Sequence, residues 1–149
     1  MRHGPAQTAS AGCVYMLIVF AAGFVLGTIR TLVLIPAIGK FAAVAVEMPF
    51  MLAASWLVCG MALRWFAVRS LAERAVMGGT AFVLLMLAEV ALARLIFGQA
   101  LADYLAGFAD PAALLGLAGQ AVFALFPLVR SRFGWPVRGS PVRGSPARR

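Results

Sequence analysis

The chain has 149 residues, 63% of them hydrophobic and 12% charged, with mean hydropathy +0.95 and a net charge of +8. Soluble domains run at about 45–50% apolar and about 25% charged, so these proportions exclude a fold that must keep a polar surface in water. A spanning helix needs about 20 largely apolar residues, and four of them with short connections nearly exhaust the length.

Residues 1–11, with Arg2 and the one histidine, His3, read as a polar leader. Ser10-Ala11-Gly12-Cys13 loosely resembles a lipoprotein cleavage box. The apolar run follows the cysteine instead of preceding it, so the expectation is a retained first helix and not a removed signal. That helix covers about 12–35, uncharged as far as Arg30 and ending at Ile35-Pro36. Its Gly23-x-x-x-Gly27 spacing permits close approach of a neighbouring helix. Gly39 and Lys40 make a turn, and a second helix over about 42–63 holds Glu47 and Pro49. Residues 64–74 form a polar connection, and a third helix over about 75–97 contains Glu89 and Arg94.

Leu101, Tyr104, Leu105 and Phe108 then recur at helical spacing, as in a short helix lying along the membrane interface. Asp110-Pro111 opens a fourth span, 111–129: the carboxylate caps free backbone N–H groups and proline suits the first helical position. Gln120 is its strongly polar interruption. The tail, 130–149, repeats Pro-Val-Arg-Gly-Ser in tandem and carries Arg130, Arg132, Arg138, Arg143, Arg148 and Arg149. Such composition does not fold alone; it is a cationic segment for lipid headgroups or a partner. It lacks the regular aromatic interleaving of a nucleic-acid binder. Long unalternating apolar runs exclude barrel strands.

Basic residues alternate along the chain. The leader holds one arginine, the 64–74 connection three and the tail six, whereas the first turn has Lys40 and the third connection two aspartates. Positive residues collect on the cytoplasmic side, which puts both termini inside. Tyr15, Trp65, Tyr104 and Trp135 fall near the expected boundaries, as in aromatic belts. The expected fold is therefore all-α, a four-helix transmembrane bundle of the bacterial inner membrane, N-in and C-in.

An ionisable residue at a helix centre costs about 2.5–3.5 kcal/mol on insertion scales, so Arg30, Glu47, Glu89 and Arg94 need partners or water. Arg30 and Glu47 are equidistant from the Ile38-Gly39 turn, about 12 Å along each helix, which favours an ion pair across the hairpin. Glu89 lies near the same depth and is answered by Arg30 or by its own proton. Arg94, about 140° further around that helix, reaches the outer interface instead. Gln120 serves as an interhelical hydrogen-bonding group. Pro49 either kinks the second helix beside the pair or marks the start of that helix with Glu47 as its cap.

Gly27-Thr28-Ile29-Arg30-Thr31-Leu32, with Glu47-Met48-Pro49 and Leu52-Ala53-Ala54-Ser55-Trp56, resembles four-helix bacterial inner-membrane proteins to which no activity is attached. The small multidrug exporters are similar in size, but their essential glutamate lies in the first helix, where this chain has Arg30. No metal-ligand cluster, phosphate loop or serine triad assembles from the sequence. Cys13 and Cys59 read as small apolar fillers. The expectation is a non-enzymatic accessory or structural membrane protein with no metal or cofactor, in contact with lipid and with other subunits or further copies of itself. A small oligomeric transporter or proton conductor using Glu47 and Glu89 is the alternative.

Overall fold

The computed structural model describes residues 5–131. Among these the chain is all-helical, and four helices are long and apolar enough to cross a membrane. The first span is α1 (Pro5–Ile29), continued through a π-helical turn (Arg30–Leu34) into α2 (Ile35–Ile38). Gly39, at φ 81°, reverses the chain into α3 (Lys40–Trp65). The third span is α4 (Leu71–Leu95); the short α5 (Leu101–Ala106) and a single 3-10 turn lead into the last span, α6 (Pro111–Val129).

Two helix starts differ from the sequence reading, each for a local reason, and the open alternative at Pro49 is decided. Helix α1 begins at Pro5, inside the expected leader, and the small residues of that first stretch pack, with Thr8 and Ala11 buried. Helix α4 begins at Leu71, so the connection shrinks to 66–70. Ser70 and Glu73 form a reciprocal capping box there, which satisfies free N–H groups that a polar loop would leave to water. Pro49 sits inside an unbroken α3, which removes the reading of Glu47 as a helix cap.

The spans form a ring. Helix α1 packs on α3 and α4, and α6 packs on the same two, while the diagonal pairs do not meet at the backbone. At the end where α1 begins and α6 finishes the centre is filled. Gly12 seats α1 directly on the Met77 carbonyl of α4, where an added Cβ would fall 2.6 Å from that oxygen, and Gly78 seats α4 on the Ala124 carbonyl of α6. Tyr15 reaches across the diagonal to stack on Phe123, with ring centroids 4.4 Å apart, and its hydroxyl donates to the Phe123 carbonyl at 3.0 Å. That carbonyl needs a donor because Pro127, four residues on, has no N–H to offer it. Tyr15 is thus fully buried and does not belong to an interfacial belt, whereas Trp65 is exposed. Trp135 lies outside the described residues.

The outward faces carry Leu17, Phe50, Leu57, Val83, Leu87 and Leu125, all exposed. In water such a surface would aggregate; hydrocarbon is its natural solvent.

Candidate functional site

Towards the opposite end, where the Gly39 turn and the 96–110 connection lie, the ring does not close. It encloses a cavity of about 720 Å³, floored by Val19, Leu85 and Phe123 and lined by groups from all four spans. Gly23 and Gly27 belong to its wall. An added Cβ at Gly23 would approach the Met51 side chain and one at Gly27 the Arg30 guanidinium, so these glycines make room in the bundle and do not seat one backbone on another. On the opposite wall an added Cβ at Gly119 would strike the Met48 side chain, while one at Gly116 would meet nothing within 4 Å.

Four polar side chains gather at one level of this cavity. The Arg30 guanidinium donates to Glu47 Oε2 at 2.8 Å, forming the ion pair expected from hairpin geometry. Glu47 is 8% exposed and Arg30 33%, so the carboxylate is embedded and the guanidinium looks into the opening. Across the cavity the Gln120 amide donates to Glu89 Oε1. The Tyr104 hydroxyl, from α5, and Arg30 also face Glu89. The closest contact of Glu89 is therefore not Arg30 but a neutral amide from α6. The sequence signal for this was present. Glu89 lies six residues before the end of α4 and Gln120 nine after the start of α6, so the two fall within about one turn of each other in depth, a coarser register than the equidistance of Arg30 and Glu47.

Arg94, grouped with these residues in the sequence reading, is exposed and does not line the cavity. It is five residues past Glu89, which turns it to another face of α4. Arg130 also departs from its expected place at headgroups or a partner. Its guanidinium folds inward, 4.4 Å from the centre of the Trp56 ring and against Gly60, where a Cβ would collide with it. Arg132, Arg138, Arg143, Arg148 and Arg149 lie outside the described residues.

Two features were not read from the sequence. The first is the π-helical turn beginning at Arg30, in which the Ile35 N–H reaches back five residues to the Arg30 carbonyl. Pro36, which has no N–H to give the Leu32 carbonyl, breaks the ordinary ladder at that point. The second is a latch over the cavity mouth: Lys40, on the first turn, pairs with Asp110, whose other oxygen caps Ala112 N–H at 2.8 Å. The Lys40 hydrogen bond, and then the Ala112 N–H, hold the Asp110 carboxyl below its ordinary range. Between the latch and the wall, Tyr104 and Phe108 pack edge to face at 5.3 Å above the opening.

No protein-family model, curated protein or solved structure matches the chain.

Proposed function

We propose that this protein is a non-enzymatic, multi-pass protein of the bacterial inner membrane that binds a small amphipathic molecule in its open cavity and carries it. The observation behind this reading is the cavity itself, about 720 Å³ of space with largely apolar walls and a polar group set at one depth. Sites for small molecules have this size and this mixture, a hydrophobic surround with a few placed polar groups. Charges serving only to lock helices together pack against side chains on every side, whereas Arg30 and Glu89, each with a partner, also line the cavity, and Arg30 is one-third exposed. The π-helical turn that begins at Arg30 interrupts the α-helical ladder of the first span where that span lines the cavity, as irregular backbone does at carrier sites. The arginines at the closed end argue for that end in the cytoplasm, with the cavity and α5 at the outer face.

A second reading, an accessory subunit in which the charges pin helix register, is favoured by the embedded state of Glu47. The two part company in one experiment. Purified full-length protein in liposomes is expected to move a fluorescent amphiphile across the bilayer, and Gly116→Phe, on the cavity wall where an added Cβ meets nothing within 4 Å, is expected to stop it while the protein stays helical and monodisperse. Equal flux through the variant and the parent, or none through the parent, would remove the carrier reading. Stoichiometric recovery of another membrane protein in mild detergent would then support the accessory one.

A further inference from the structure

The charges around the cavity do not balance in its interior. Arg30 is answered by Glu47. Lys40 is answered by Asp110 at the rim. Glu89 is left with hydrogen-bond donors that carry no charge, the Gln120 amide and the Tyr104 hydroxyl, and with the more distant Arg30, which Glu47 already neutralises. With Glu89 ionised, the cavity interior holds one negative charge in excess, in surroundings where an uncompensated charge is costly. One positive charge, a proton or a bound cation, completes it.

We propose that this position takes the head of a monovalent organic cation, seated between Glu89 and the Tyr104–Phe108 ring pair, with its apolar body in the cavity towards Phe123. The inference rests on the carrier reading above and names its substrate class. Three observations favour an organic cation over a metal ion. A metal ion sheds its water only for several oxygen ligands, and here one carboxylate is offered, with an amide directing its N–H₂ group inward. The neighbouring Arg30 guanidinium opposes a compact, high charge density. The edge-to-face pair of Tyr104 and Phe108, with centroids 5.3 Å apart, lines the cavity on the side from which the Tyr104 hydroxyl meets Glu89, and an aromatic face there attracts a diffuse ammonium through its quadrupole. Volume agrees, since 720 Å³ far exceeds a bare ion's need and suits a drug-sized body.

The exchange is balanced. When Glu89 starts as the neutral acid, the cation arrives, the O–H bond breaks, the carboxylate pairs with the cation, and one proton leaves to solvent. The groups facing Glu89 during this step are Arg30 from the first span, Gln120 from α6 and Tyr104 from α5, with Glu47 of α3 reached through Arg30.

The test uses a phenylalkyl quaternary ammonium and its neutral isostere, in which carbon replaces the nitrogen. Both are titrated into the purified full-length protein, and protons released are counted with a pH indicator. The ammonium is expected to bind at least about tenfold more tightly than the isostere, releasing protons on the acid side of the Glu89 titration. Glu89→Gln is expected to erase both the preference and the release, whereas Asp103→Asn, outside the cavity, keeps them. Equal binding of the two probes to the parent protein overturns the cation assignment and leaves the carrier reading standing. Binding of neither overturns both. Because the comparison between probes is made on the parent protein, it decides even where Glu89→Gln fails to fold.

Discussion

Arg30 and Glu47 were legible as a pair because a tight antiparallel hairpin converts sequence distance from its turn into depth. The same pair gives the most direct energetic test at the scale of single residues. Removing one partner of a buried ion pair leaves the other charge without an answer, at a cost of about 3–5 kcal/mol. Arg30 is one-third exposed, so Arg30→Met and Glu47→Gln should fall at the lower end of that range in a reversible unfolding titration in mixed detergent. The double variant Arg30→Met/Glu47→Leu, which leaves no charge, should recover most of the loss. Additive losses would show that the two groups do not act as a pair. Glu89 was located by the sequence, but its partner was not, because a carboxylate in hydrocarbon points to an opposite charge and the structure supplies an amide. Tyr104 was placed at a membrane boundary, and nothing in the sequence brings it over Glu89 until the 96–110 connection is known to fold back.

At the scale of elements, the apolar runs were enough for number, order and approximate length, and the ends were set by chemistry more local than hydropathy. The serine–glutamate box at Ser70 and Glu73 starts α4 inside a stretch that composition alone reads as a loop. Asp110 does the same for α6, and here the sequence signal, Asp-Pro ahead of an apolar run, was read correctly. Asp110 also ties the latch to Lys40, which gives this element a pH dependence of known sign. Its carboxyl is held below the ordinary range in the folded protein, so the contact stabilises the fold when ionised. That contribution is present above about pH 4 and is lost as pH falls through the lowered value. Protection of the α5 amides, taken relative to their intrinsic exchange rate at each pH, should therefore fall on strong acidification, and in Asp110→Asn it should be low already at neutral pH, with the cores of α3 and α4 unaffected. Protection of α5 that ignores both acid and the substitution would mean that the latch holds nothing.

At the scale of the whole molecule, the ring order of the spans was not legible. Every span is apolar on most of its circumference, so periodicity does not say which face meets which neighbour. Small residues decide it. Gly12 and Gly78 allow backbone contact at the closed end, whereas the noticed Gly23–Gly27 spacing turned out to wall a cavity. Close contact and open space were thus coded by the same residue type. The two kinds of glycine should respond oppositely to enlargement. Gly78→Leu forces a side chain into the Ala124 carbonyl of α6 and should cost about 3 kcal/mol or prevent assembly, while Gly116→Phe should leave unfolding within about 1 kcal/mol of the parent, measured in the same detergent titration.

The proposed site depends above all on the cavity at the turn end being open to water at its polar groups, whatever occupies it. In a background with Cys13→Ser and Cys59→Ala, single cysteines are introduced as Gly116→Cys, on the cavity wall, and Gly79→Cys, where a side chain also meets nothing but faces outward. A charged, membrane-impermeant thiol reagent applied to reconstituted protein should label the first and leave the second unmodified, since reaction requires a thiolate in contact with water. Silence at both positions, or equal labelling, would contradict a water-filled cavity, and with it the binding site built on it.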